Sequence, residues 1–331
     1  MGKPAHSRFA RAARGRIRVG VSSCLLGQSV RWDGGHKRDP YVAETLARMF
    51  ELVPVCPEVA IGLGVPRPPI RLVAQDRKLR AVAVRAPHLD VTERLAKYGR
   101  AMARELDDVC GYVLKSDSPS CGMERVKIYR GVAGPPSRTG TGVYAQALMR
   151  ARPGLPLAEE GSLADGAARE NFVERVFAYR RWLDMRRNGL SRRKLAAFHA
   201  AHTLSLMAHG TDPRRAFARW FGQGRGRPLD VLAEDYLREF MAALKRPATR
   251  KLHARVLTHL ADRLRPALDA RQCEAVARTI ARYRLGRIPL DAPVTLLRKH
   301  FGRHPHPAAA GQVYLEPGLT LSRCGRSGRR T

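Results

Sequence analysis

Apolar and polar positions change rhythm near the middle of the chain. Up to about residue 185, short apolar runs alternate with stretches of helical period. Ile17–Val21 and Leu52–Val55 read as buried strands, Leu79–Val84 alternates like a strand, and Tyr112–Leu114 reads as another. Between and after them, Tyr41–Phe50, Val91–Leu106 (with Asp90 placed to cap it), Gly142–Ala151 and Arg169–Met185 carry helical spacing. Alternation of this kind predicts an α/β domain with a parallel sheet covered by helices. From about residue 188 the pattern is helical throughout. Helices are expected at Arg192–Ala208, Pro213–Phe221, Leu229–Leu244, Thr249–Leu268, Arg271–Tyr283 and Val294–His300. Gly210, Pro228, Pro247, Gly286 and Pro289 serve as stops, and Asp269 as an N-cap. The predicted organisation is an α/β domain over 17–187, an all-α domain over 188–320, and a polar, disordered tail over 321–331. The join near Asn188–Ser191 is short, and no internal repeat is visible.

Charge changes this picture. The 331 residues carry a net +32. The first 185 residues hold 31 Lys/Arg against 19 Asp/Glu, or +12; the remaining 146 hold 30 against 10, or +20. A preference for Arg over Lys follows from a GC-rich genome, but the shortage of acids does not. A field this positive attracts polyanions, and nucleic acid is the common one in cytoplasm. Clustered cations at a helix start (Arg192, Arg193, Lys194) and in the Gly-rich loop GQGRGR (Arg225, Arg227) are the candidate phosphate contacts. A membrane surface fits less well, because no strongly basic amphipathic helix shows an aromatic face. No run is long and apolar enough to span a bilayer, and Met1–Arg18 lacks the apolar core of a secretory signal. The expectation is a cytoplasmic protein without membrane association, and no protein partner is predicted.

The candidate chemistry lies in cysteine. There are six: Cys24, Cys56, Cys110, Cys121, Cys273 and Cys324, with no CxxC pair. A disulfide framework is not expected in a cytoplasmic chain of this length. Three of them share a setting. Cys24 follows the first strand in VSSCLLG, Cys56 ends the second in VPVCPEV, and Cys121 follows the strand around Val113 in LKSDSPSCG. In an open parallel sheet the carboxyl ends of strands lie along one edge, where ligands bind. Three separate segments would bring three thiols to one place. Their spacing does not suit structural zinc, whereas thiolates also suit iron–sulfur clusters, and three ligands on a cubane leave one iron open. The alternative is that they are buried apolar cysteines, as Cys110 (at a helix end by pattern) and Cys273 are expected to be. Glu58 would stand beside the metal and could take a proton from water. Ser118 and Ser120 flank Pro119 and could donate to substrate or to cluster sulfur. Asp33, Gly34 and Gly35 form a turn after Trp32. Arg67, in GVPRPPIR, could contact a phosphate or a base edge. His199, His202, His209, His253 and His259 fit core or RNA-facing positions better than a second metal site.

The segments SSCLLGQSVRWDGG, VPVCPEVAIGLGVPRPPIRL and LKSDSPSCGMERVKIY resemble the thiouracil desulfurase family over roughly residues 17–185. That resemblance implies an α/β fold and a 4Fe-4S cluster on Cys24, Cys56 and Cys121. It also implies a catalytic acid at Glu58 and a catalytic serine at Ser118, with Ser120 in reserve. The second half, in LAAFHAAHTLSLMAH, KLHARVLTHL and YRLGRIPLDAPVTLLRKH, resembles the YbgA-like helical domain. A fusion of the two is similar to the tRNA 4-thiouridine desulfidases, which implies tRNA as partner and hydrolytic release of sulfide from 4-thiouridine. The segment LADRL after His259 and the end after Pro317 depart from the pattern. Two other functions stay open: desulfuration of free thiouracil or a thiolated nucleotide, and a non-catalytic metal-containing RNA-binding protein.

Overall fold

The computed structural model describes residues 15–75, 78–130, 135–222 and 226–316. Arg225, Cys324 and the 321–331 tail lie outside the described residues. The chain divides into two compact units, Met1–Phe172 and Val173–Thr331.

In the first unit four strands form a parallel sheet. They are β1 (Arg18–Ser22), β2 (Glu51–Val55), β5 (Val109–Leu114) and β8 (Leu157–Glu159), in the order β2-β1-β5-β8. All five residues of β1 and all six of β5 are buried, as expected for strands covered on both faces. Gly20 allows this packing, since a Cβ there would stand 2.3 Å from the Tyr112 ring. At the amino end of β1 the buried Arg18 donates to Glu51 (3.1 Å) and Asp108 (2.8 Å), which ties β1 to the starts of both its neighbours, β2 and β5. A second sheet, β4-β3-β6-β7, contains β3 (Ile70–Gln75), β4 (Lys78–Ala83), β6 (Val126–Tyr129) and β7 (Ser137–Gly140). Its β3–β4 and β6–β7 pairs are antiparallel. Helices α3 (Thr92–Glu105) and α4 (Val143–Ala151) pack together where Gly99 meets Ala147 and Tyr144. A π-helical turn, Tyr41–Leu46, runs into α1 (Ala47–Met49), and the four-residue α2 (Pro57–Ala60) follows β2.

The parallel sheet and the major helices agree with the sequence pattern. Cys110 does not lie at a helix end; it is a fully buried residue of β5. The apolar run around Tyr112 simply starts three residues earlier than its period suggested. Strand Leu79–Val84 belongs to the second sheet, whose other members are not among the strands that the sequence predicts. β7 (SRTG) and the three-residue β8 (LAE) hold too few apolar positions to show a period.

Helix α5 (Gly166–Arg187) contains the division between the units. The second unit continues as α6 (Arg192–Ala201), α7 (Thr203–Ala208), α8 (Pro213–Gly222), α9 (Leu229–Lys245), α10 (Arg250–Leu264), α11 (Ala270–Arg284) and α12 (Asp291–Arg303). The expected helix Arg192–Ala208 is broken at His202 into α6 and α7. Asp269 caps α11 through a complete capping box with Gln272. Trp182, Phe198, Trp220, Tyr236 and Phe240 form one aromatic core.

His199, His202 and His209 are buried in this unit, whereas His253 and His259 are half-buried. His199 bonds the Tyr236 hydroxyl (3.2 Å) and the Pro213 carbonyl (2.9 Å), and His202 bonds the Phe198 carbonyl (2.7 Å). His209 pairs with Glu174 at 2.9 Å. Burial pushes His202 and His253 down to about 4. Burial opposes charge on His209 too, but Glu174 outweighs it and raises that imidazole. A histidine held neutral in the fold stabilises it above the unfolded value near 6.5, and that contribution is lost as pH falls toward 4. His209 acts the opposite way, in a window above 6.5. Acidification from pH 6.5 to 4 should therefore cost the second unit about 3 kcal/mol for each of His202 and His253. Urea titrations followed by the buried Trp182 and Trp220 should show the midpoint falling over that interval, and a flat profile would refute this assignment.

Candidate active site

The register of the parallel sheet builds the site. β1 pairs with β2 so that Ser22 stands opposite Val55, and with β5 so that Val21 stands opposite Val113. The three carboxyl ends are level. The chain leaves β1 to form β2 on one side and later returns to form β5 on the other, so these ends flank a topological switch point. Each of the three loops beyond carries one cysteine.

Cys24 lies in a 3-10 turn, Ser23–Leu26, closed by Gly27 at φ 88°; its carbonyl accepts from Gly27 (3.3 Å) and Lys37 (2.9 Å). Cys56 is the N-cap of α2, with Pro57 at the first helical position, and its thiol donates to the Val30 carbonyl at 3.8 Å. Cys121 ends the turn Ser118–Cys121. This loop is bracketed by two carboxylates after β8: Glu160 accepts from the Ser116 amide (2.7 Å), and Glu159 from the Met123 amide (2.7 Å). Gly142 packs on the same loop so closely that a Cβ there would stand 2.5 Å from the Ser120 carbonyl oxygen.

Cys24, Cys56, Cys121, Glu58, Arg67, Ser118 and Ser120 all line one cavity of about 330 Å³, together with Ser22, Trp32, Lys37 and Lys115. Burial pushes the Cys24 thiol up to about 11, and the neighbouring Cys56 adds to the effect. Burial also raises Cys56, against the helical amides of Val59 and Glu58 that favour its thiolate. Burial raises Cys121 most, although the Ser22 hydroxyl bonds its sulfur. Three thiols so close and so sheltered ionise together only against a compensating positive charge. Among the described residues no group of three His, Cys, Asp or Glu could hold a single metal ion. A cubane is larger than an ion, and each corner iron takes its own thiolate, so three thiols on separate loops around one cavity fit it.

Beside the thiols runs a closed polar chain. Glu58 Oε2 faces Arg67, with Nε and Nη2 each at 2.8 Å, and Glu58 Oε1 accepts from Ser120 Oγ at 2.6 Å. Ser118 Oγ lies 2.9 Å from Ser120 Oγ and accepts from the amides of Cys121 (3.0 Å) and Ser120 (3.3 Å). An ionised carboxylate only accepts, so Ser120 gives its proton to Glu58 and Ser118 gives its own to Ser120. The hydroxyl chain thus has one direction, toward Glu58. Arg67 also donates to the Gly64 and Val30 carbonyls, both at 2.9 Å, and only 3 % of its side chain is exposed. Its donors are committed to the protein.

With this geometry in view, three comparisons apply. Residues 19–160 match the family model of 2-thiouracil desulfurase, and residues 204–318 match that of DUF1722, a protein of unknown function. The first unit is a thiouracil-desulfurase-like domain. The second carries a DUF1722/YbgA-like domain. The chain is 33 % identical to a 4Fe-4S-dependent thiouracil desulfidase, TudS, of solved structure, covering 45 % of this chain and 94 % of that one, with a TM-score of 0.36. It is 27 % identical over 143 residues to the uncharacterized protein YbgA of Escherichia coli strain K12, spanning 43 % of this chain and 85 % of that protein.

In the second unit Arg192 donates to the Arg227 carbonyl (3.2 Å), so the helix start and the Gly-rich loop are neighbours. Arg193 is exposed and, among the described residues, without an ion pair. Lys194 instead donates to the carbonyls of Asn188 and Gly189, and Arg227 pairs with Asp235 at 2.6 Å. No helix among the described residues is long and apolar enough to cross a membrane.

Trp32, Lys37, Ser22 and Lys115, paired with Glu160, line the cavity without being among the candidates that the sequence suggests. Of these, only Trp32 carried a sequence signal, a tryptophan set in a polar turn.

Arg67 is the group whose loss the desulfurase-like domain should feel most. Arg67→Met leaves Glu58 unpaired in a sheltered place, and about 3–5 kcal/mol of stability should go with it. Guanidinium titrations of Arg67→Met and of Arg67→Met/Glu58→Gln check this, the double variant recovering part of the loss.

Proposed function

We propose that this protein is a hydrolytic desulfurase that converts 4-thiouridine in tRNA to uridine, with Cys24, Cys56 and Cys121 holding a 4Fe-4S cluster. The observation that carries the proposal is the meeting of three thiols from three strand ends with a carboxylate and two serines in one cavity, within a domain matching 2-thiouracil desulfurase. The 33 % identical desulfidase, named for its 4Fe-4S dependence, supports the cluster. When bound, the cluster would supply a Lewis-acidic iron without a protein ligand, suited to a soft sulfur.

The protein's own residues do the rest. Arg67 holds Glu58 so that Oε1 faces the serines. Glu58 takes a proton from the water that attacks the ring carbon bearing sulfur. Ser118 touches the substrate and, through Ser120, is hydrogen-bonded to the same carboxylate, which it helps to hold in place. Ser120, buried to 1 % exposure, works as the link between them. The oxygen of water replaces sulfur on the ring, its two protons leave with the sulfur as hydrogen sulfide, one of them by way of Glu58, and no net oxidation occurs.

Transfer RNA enters the proposal through charge. The second half carries +20, and Arg192, Arg193, Lys194, Arg225 and Arg227 are its proposed phosphate contacts. The binding energy offsets a cost of about a few kcal/mol to turn the base out of its stack. The family's name favours a second reading, in which free thiouracil is the substrate.

Sulfide release under anaerobic conditions tests these proposals. Cys24→Ser, Cys56→Ser and Cys121→Ser should each abolish both the brown chromophore and turnover. Cys110→Ser and Cys273→Ser should keep both. Glu58→Gln should keep the chromophore and lose about a hundredfold or more in rate; an active Glu58→Gln protein would remove that residue from the chemistry. Charge reversal of Arg192 and Arg193 should slow the reaction on thiolated tRNA and leave free thiouracil unaffected. A full-length protein that consumes only the free base, even at low salt, supports the second reading.

A further inference from the structure

Three serine side chains approach Cys121: Ser118, Ser120 and Ser22. Two of them have already given their protons away. Ser118 donates to Ser120 (2.9 Å), and Ser120 donates to Glu58 (2.6 Å). Ser120 Oγ also lies 3.8 Å from the Cys121 sulfur, but a hydroxyl has one proton, and the short bond to a carboxylate takes it. Ser22 is the third. It ends β1, lines the cavity of the thiols and is 2 % exposed.

Ser22 stands at the N-cap position of the 3-10 turn that carries Cys24. A serine there ordinarily accepts from an amide of the turn that follows it. This side chain makes no such bond. It accepts instead from the Lys115 amide, one residue beyond β5, at 3.0 Å. With its acceptor side filled from β5, the buried hydroxyl still has a proton that needs a partner. The Cys121 sulfur is that partner. Among the described residues no hydroxyl bonds the sulfur of Cys24 or of Cys56; Cys56 is met by backbone amides and by the Val30 carbonyl. Three ligands that are alike in chemistry are thus made unequal. A hydrogen bond to a thiolate draws electron density from the metal it holds, and such bonds help to set a cluster's potential.

We infer that Ser22 is a positioning residue of the metal centre, tying the Cys121 loop to the end of β1 and withdrawing electron density through the Cys121 thiolate. The iron without a protein ligand is then a stronger Lewis acid toward a soft sulfur. This inference rests on the cluster reading for its metal centre. It adds an unequal role for one of the three thiols and a residue that sets it.

The test uses the anaerobically reconstituted full chain and reads the cluster rather than turnover. In redox titrations Ser22→Ala should make the midpoint more negative by the equivalent of about tenfold in the one-electron equilibrium, or about 59 mV. Ser22→Thr, which restores a hydroxyl, should return most of that shift. After exchange into heavy water and reduction with dithionite, electron–nuclear double resonance should show a coupled deuteron that Ser22→Ala loses and Ser120→Ala keeps. An unshifted midpoint in Ser22→Ala, or a full set of deuteron couplings in that variant, overturns the assignment. If Ser22→Ala takes up no cluster, the unmutated chain and Ser120→Ala still decide. A coupled deuteron kept in Ser120→Ala supports Ser22 as its source, and one lost with Ser120 overturns it. An unmutated chain that takes up no cluster refutes the cluster reading itself, whereas a cluster indifferent to Ser22 refutes this inference alone.

Discussion

Everything in the first unit depends on the parallel pairing of β1 with β2 and β5. Those two ladders level three carboxyl ends, and one thiol follows each within two residues of β1, one of β2 and a bracketed turn after β5. A one-residue slip would turn the following loops away from one another and put buried side chains on the wrong face. Arg18 guards against this at the far end, clamping Glu51 and Asp108 on either side of its own strand. The same sheet therefore has one edge held by an ion cluster and an opposite edge that carries the three thiols around a cavity.

At the second edge, polar groups are arranged by one pair. Arg67 and Glu58 neutralise each other, and Glu58 then fixes the direction of the two serine hydroxyls. Arg67 donates to the Val30 carbonyl, which also receives the Cys56 thiol, and its amide holds the Trp32 carbonyl. Thiol loop, carboxylate and the backbone of Trp32 are thus linked through a single arginine. This is why a residue that the sequence suggested for substrate contact is better understood as the organiser of the groups that would make it.

The strand-end position of the cysteines was legible because buried parallel strands announce themselves as apolar runs and the turns after them as Gly, Pro and Ser. The helical second half was legible from period and from its Gly and Pro stops. What escaped had no periodic signal. β8 is three residues long, yet Glu159 and Glu160 beside it hold both ends of the Cys121 loop. The break at His202 coincides with a buried imidazole bonded to the Phe198 carbonyl four residues earlier, which helical spacing does not reveal. The order of the serines also needed coordinates: spacing alone could not say that Ser120 faces Glu58 while Ser118 caps its own turn.

The central claim is that three thiols hold a cluster with one iron lacking a protein ligand. Mössbauer spectroscopy of protein reconstituted with ⁵⁷Fe tests it most directly. The account predicts four irons per chain in sites of three-to-one ratio, the minority site shifting when inorganic sulfide is added. Four equivalent thiolate-bound irons, indifferent to sulfide, would contradict it.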